Sequence, residues 1–123
     1  MDAKYSFKNL DAYNEAKILV KMVYGLIEEF PKVETYALCD QLRRAVISIP
    51  SNIAEGSGRT SSKDQAHFFE MAFSSLMEVH CQMDIACDLG YINQIELTQI
   101  EEQIRKIAAL LSGLRKKCLS FTH

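Results

Sequence analysis

QLRRAVISIPSNIAEGSGR, residues 41–59, decides the fold. At about 100° per residue, Leu38, Leu42, Ala45, Val46, Ile49 and Ile53 share one helical face, and Gln41, Arg44, Ser48, Asn52 and Glu55 form a polar stripe beside it. A stripe so placed runs along the rim of a core. Any member of it that is buried needs a partner on a neighbouring helix, because an unpaired buried charge is very costly. Arg44 and Glu55 stand too far apart to pair with each other, so Glu78, on a later helix, is the expected partner of Arg44. Pro50 removes an amide donor inside the run and predicts a kink, while Gly56 and Gly58 predict its end. The helix so defined spans about Thr35 to Glu55.

Other helices follow on both sides. Before it, Tyr13, Ala16, Val20, Val23, Tyr24, Ile27 and Phe30 recur at three and four, predicting a helix from about Asp11 to Phe30 that Pro31 stops. Ile18 and Met22 lie off that stripe, and Tyr5 and Phe7 are expected to pack back onto the end of the bundle. After it, Gly56–Ser62 is the Gly/Ser-rich loop. Ser62 with Gln65 reads as a capping box opening a third helix that continues to Leu89, with Gly90 as its stop. Its core stripe is Phe68, Met71, Ala72, Ser75, Leu76, Val79, Met83, Ala86 and Leu89. Asn93 with Glu96 forms a second box opening a fourth helix to about Leu119, with Leu97, Ile100, Ile104, Ala108, Leu111, Leu114 and Cys118 facing in. Four long helices joined by short turns predict an all-α, antiparallel up-down-up-down four-helix bundle.

Some apolar residues do not fit that interior. Ile47, Pro50 and Ala54 fall opposite the core stripe of their helix, and Phe69, Phe73 and Met77 recur on a second face of the third. These six are the expected interface of a homo-oligomer, since a bundle interior absorbs one stripe and not two.

Composition narrows the function. At 123 residues and 14.0 kDa the chain is expected to hold one domain, with 48% hydrophobic residues, 24% charged and seven Gly plus Pro favouring a loop-poor helical protein. A formal net charge of -2 gives no global attraction to nucleic acid or anionic membrane. Cys39, Cys81, Cys87 and Cys118 contain no CxxC pair and no leader precedes the first helix, so a cytoplasmic protein with free thiols is expected. No apolar run approaches the ~20 residues of a membrane span.

Catalytic and metal chemistry find little support. Asp64-Gln-Ala-His67 approximates only half of a carboxylate di-iron motif. His80, Asp84 and Cys87 share a face, but three ligands on one helix with nothing to complete them make an ordinary mixed surface the better reading. Gly56-Ser-Gly58 follows a helix and lacks the Gly-Lys-Ser/Thr ending of a phosphate loop. The reading is therefore of no enzyme, no cofactor, no metal and no small-molecule substrate. Nucleic acid is the stronger prospect: Arg43, Arg59 and Lys63 surround the second loop, and Arg105, Lys106, Arg115, Lys116 and Lys117 lie along the fourth helix. A ring of subunits would repeat each patch, and phosphate binding grows with the number of contacts.

Phe7, Leu10 and Ala16, Phe30-Pro31 with Glu34 and Tyr36, Gln41 to Ala45, Ser48 to Gly56, and Ala72 to Glu78 together carry a resemblance. The chain resembles the bacterial four-helix-bundle proteins encoded within intervening sequences of large-subunit ribosomal RNA genes, and more distantly the accessory variability protein of diversity-generating retroelements. Ser74 departs from the family pattern, which has glycine before Ser75. The resemblance implies a left-handed up-and-down bundle assembling into a cyclic pentamer. The expected function is a non-enzymatic, homo-oligomeric accessory or scaffold protein associated with RNA or DNA. The alternative is a protein–protein interaction module that binds no nucleic acid.

Overall fold

The computed structural model describes residues 7–120, which form α1 (Asp11–Ile27), α2 (Leu38–Ser57), α3 (Ser62–Asp88) and α4 (Gln94–Leu119), with a 3-10 turn at Lys32–Glu34. Local chemistry sets the boundaries. Pro31 excludes the helical conformation from the residue before it, and the turn ahead of it tightens: Glu29 and Phe30 donate to the carbonyls three residues back, so α1 ends at Ile27 rather than Phe30. The 3-10 turn delays α2 to Leu38, whose amide donates to Glu34 Oε1 at 3.4 Å. α2 then continues across Pro50 to Ser57, which places Gly56 inside the helix instead of at its end.

The cap of α3 falls one residue earlier than expected. Ser61 Oγ accepts the Asp64 amide at 3.0 Å, while the Gln65 side chain donates to the Arg59 carbonyl at 3.1 Å. At its other end Gly90 takes φ 79°, Gly90 N–H bonds the Cys87 carbonyl and Tyr91 N–H bonds the Ala86 carbonyl, a Schellman closure. The Asn93–Glu96 capping box forms as read, with reciprocal bonds of 2.8 and 2.9 Å.

Each helix packs on the next, and α4 closes on α1. The cross-helix bonds show how the helices run. Gln41 meets Gln82 while Ser48 meets Ser75, and His80 meets Glu101 while Arg115 meets Glu70. Partner numbers fall on one helix as they rise on the other, so α2/α3 and α3/α4 are antiparallel. One cluster of buried side chains fills the space between the helices, built on Leu19, Val23, Leu42, Ile49, Ile53, Leu76, Met83, Ile100, Ile107 and Leu111. Leu19 and Ile107 occupy core positions that the stripes omitted, while Tyr24, Met71 and Leu89 turn outward. The buried arc of each helix is wider than a single stripe and absorbs residues at its edges. No helix among the described residues is long and apolar enough to cross a membrane.

Candidate nucleic-acid interface

An antiparallel bundle of four helices brings the α2–α3 loop, the start of α1 and the end of α4 to one end. Here Cys118 Sγ contacts Gln65 Oε1 at 3.6 Å, Arg115 Nε donates to Glu70 Oε1 at 2.7 Å, and Leu10, Ser57, Gln65 and Lys117 line a common cleft of about 250 Å³. Five of the eight cations read from the sequence therefore share this end: Arg59, Lys63, Arg115, Lys116 and Lys117. Lys8, which precedes α1 and is exposed, joins them although the sequence reading passed over it.

These side chains differ in freedom. Arg59 pairs with Glu55 at 3.0 Å and lies over the Phe68 ring, 4.5 Å from its centroid, so its guanidinium is held in a fixed place. Arg115 is oriented by Glu70. Lys63, Lys116 and Lys117 are exposed and make no ion pair among the described residues. Phe68 supplies the aromatic neighbour that the linear sequence did not place among the cations.

Three of the expected cations lie elsewhere. Arg43 sits towards the opposite end and donates Nη2 to the Thr35 carbonyl at 3.0 Å, so it braces the entry to α2. Arg105 and Lys106 lie midway along α4, where Lys106 reaches Glu15 at 3.5 Å. Beside them the buried Gln103 donates to the Glu15 carbonyl and carboxylate at 2.9 and 3.0 Å, tying α4 to α1.

Three members of the polar stripe, Gln41, Ser48 and Asn52, hydrogen-bond along the α2–α3 seam, and the partners of the charged members differ from those expected. Gln41 and Ser48 hydrogen-bond across α3 to Gln82 and Ser75, and Asn52 Nδ2 donates to the Ser48 carbonyl at 2.8 Å. Glu78 accepts from Gln82 at 3.3 Å and does not meet Arg44. The Arg44 side chain is 81% exposed and pairs with Asp40 at 3.3 Å one turn back. A long side chain at the edge of a buried stripe reaches water more cheaply than it buries its charge. Glu55 is likewise a surface partner, to Arg59.

Two of the six expected interface residues are buried within the monomer and reach only the floors of its surface grooves. Phe69 is 3% exposed and packs beside Gly56, and Pro50 is buried against α1. Ile47, Phe73 and Met77 remain exposed and Ala54 half-buried. Ile47 and Ala54 line a groove of about 460 Å³ between α1 and α2, with Phe7, Tyr13 and Val20 opposite and Lys17 and Lys21 at its rim. Phe7 packs edge-on against Tyr13 at 5.0 Å, while Tyr5 lies outside the described residues. Phe73 lines a separate groove between α3 and α4, on the opposite edge of the bundle.

His80 Nε2 bonds Glu101 Oε2 at 2.8 Å, joining α3 to α4, and no group of three His, Cys, Asp or Glu side chains that could hold a metal occurs among the described residues. All four cysteines are free. Burial pushes the Cys39 and Cys118 thiols above their ordinary range, whereas Cys81 is exposed.

A family model described as 23S rRNA-intervening sequence protein matches residues 8–113, spanning all four helices up to the last turns of α4. No curated protein matches the chain.

Proposed function

This chain belongs to the 23S rRNA-intervening sequence protein family, and from that premise we propose a non-enzymatic, homo-oligomeric accessory protein that holds nucleic acid at one end of its bundle. The observation that carries this reading is the convergence of Arg59, Lys63, Arg115, Lys116 and Lys117, with Lys8, from three chain segments onto one end of a chain whose net charge is -2. Phosphates make the matching ligand, because separated cations on exposed side chains can each release a counterion.

Assembly is supported by the apolar groove between α1 and α2 and by a groove between α3 and α4 in which Phe69, Phe73 and Leu111 stand among Glu70, Ser74, Ser112 and Arg115. They lie on opposite edges of the bundle, and a contact that joins one edge to the other of the next copy is heterologous, the kind that gives a ring when the rotation between copies closes. The resemblance makes that ring a pentamer. Copies joined edge to edge with their axes aligned carry their basic ends on one rim, so phosphate contacts multiply with subunit number.

The test is binding of structured RNA and duplex DNA across a salt series, with oligomer mass known from light scattering. The slope of log affinity against log salt steepens by about 0.9 for each phosphate contacted on duplex DNA. Changing Arg115, Lys116 and Lys117 together to Glu should flatten the slope and weaken binding, whereas changing Arg105 and Lys106 should do little. Ile47→Asp with Phe73→Asp should reduce the mass while helical content stays, and weaken binding as well. Absence of binding at low salt, or binding indifferent to the Arg115–Lys117 changes, overturns the reading.

A further inference from the structure

The end opposite the cations carries the most exposed apolar side chains among the described residues. Val33, Tyr36, Leu89 and Ile95 are 81, 92, 54 and 71% exposed, while no other large hydrophobic exceeds 45%. Val33 and Tyr36 come from the α1–α2 connection, and Leu89 and Ile95 from the α3–α4 connection and the first turn of α4, segments distant in sequence that the fold places together. Tyr91 O–H donates to Glu34 Oε2 at 2.8 Å, and its ring lies 5.2 Å from that of Phe30. The other oxygen of Glu34 accepts the Leu38 amide, so one carboxylate braces both connections.

Apolar side chains so exposed on a braced frame have no role in the core they surround. A framework already ordered loses little entropy when a partner covers it, and tyrosine is among the residues that anchor interfaces. Charge identifies the partner. Glu28, Glu29 and Asp88 are exposed beside the patch and make no ion pair among the described residues. Of the cations nearby, Arg43 is committed to the Thr35 carbonyl and Arg44 to Asp40, leaving Lys32 exposed. An acidic rim around an apolar centre repels nucleic acid, anionic membrane and a second copy of itself face to face.

We propose that this end, centred on Val33, Tyr36, Leu89 and Ile95, docks a cationic protein surface bearing apolar side chains. The inference goes beyond the nucleic-acid reading and does not depend on it.

The test uses the intact oligomer and a fluorescently labelled amphipathic peptide of lysine and leucine, with the same peptide carrying glutamate for lysine as its control. Anisotropy should show the lysine peptide binding and the glutamate peptide binding about tenfold more weakly or worse. Tyr36→Ser with Ile95→Ser, both on exposed side chains and so compatible with folding, should weaken the lysine peptide by about tenfold. The Arg115, Lys116 and Lys117 to Glu variant should not weaken it, and cross-links should map to residues 33–36 and 89–95. Equal binding by the Ser variant, equal binding of both peptides, or cross-links confined elsewhere overturns the proposal. So does a fall in oligomer mass in the Ser variant, which would assign the patch to a second copy. RNA binding lost in that variant would overturn it in favour of nucleic acid.

Discussion

Gly56→Ala tests how closely α2 and α3 approach. A Cβ on Gly56 would lie 2.9 Å from Phe68 Cβ, 3.0 Å from Phe69 Cε1 and 3.3 Å from the Gln65 carbonyl oxygen. Two of these three atoms are on or next to the backbone of α3, so no rotamer change removes them. Carbon atoms are comfortable at about 3.5–4.0 Å, and the helices would have to part by roughly 0.5–1 Å. Such overpacking costs about 1–3 kcal/mol. Alanine also gains about 1 kcal/mol of helix propensity over glycine, which offsets part of that cost. Gly25 in α1 and Gly113 in α4 separate the two effects, because an added Cβ meets nothing within 4 Å at either position. Gly25→Ala and Gly113→Ala should each stabilise by about 0.5–1 kcal/mol. Gly56→Ala should fall about 1–3 kcal/mol below them. The assay is urea unfolding followed by circular dichroism, at one fixed protomer concentration because assembly shifts apparent stability. Gly56→Ala as stable as Gly113→Ala would refute the close approach, and with it the packing argument for glycine in this motif.

Arg44→Ala should change stability by no more than about 0.5 kcal/mol in the same unfolding assay, as befits an exposed i,i+4 pair. A loss of several kcal/mol would return Arg44 to a buried role. Tyr91→Phe should lower the melting temperature at neutral pH. The hydrogen bond to Glu34 and burial raise the Tyr91 phenol above its ordinary 10.0, so the wild-type advantage is present below that pH and lost as pH rises through the folded value. Melting curves of both proteins from pH 7 into the alkaline range check this, and a difference that persists after the phenol ionises counts against the bond.

Helical period is local and was legible, and cap chemistry was legible at α4 but one residue out at α3, where Ser61 and not Ser62 is the cap. The Asn93–Glu96 box forms with the residues expected of it, because both partners lie within one turn of each other. The facing of neighbours was harder. Phe68 and Phe69 stand about 100° apart on one helix and have the same side chain, so a wheel alone cannot rank them. Gly56 on α2 lies against both, with Phe68 Cβ and Phe69 Cε1 within 3.0 Å of where its Cβ would be. The packing of α2 on α3 buries the Phe69 ring, while the Phe68 ring is partly exposed beneath Arg59. The ladder was legible as a stripe that must be satisfied, but its partners depend on register across α2 and α3. That register pairs Gln41 with Gln82 and Ser48 with Ser75, while Arg44 points past the seam into water.

Net charge concealed more than it revealed, and the reason lies in topology. With four antiparallel helices, the α1–α2 and α3–α4 connections meet at one end, and the α2–α3 connection meets the outer ends of α1 and α4 at the other. Glu28, Glu29 and Asp88 belong to the first set, and Arg59, Lys63 and the Arg115–Lys117 run to the second. Asp11, Asp64, Glu55 and Glu70 also stand at the second end, the last two paired with Arg59 and Arg115, so the ends differ by an excess of one sign and not by full separation. That excess lies a helix length away, roughly 30–40 Å, far beyond the ~8 Å over which salt screens exposed charges at physiological strength. A ligand at one end therefore feels that end's charge and not the total. Because the residues that set each end's charge lie in connections and last turns, outside the packed stripes, either end can change its partner without disturbing the core. Tyr36, Val33, Leu89 and Ile95 at the acidic end set no charge but are likewise placed by the fold and free of its packing.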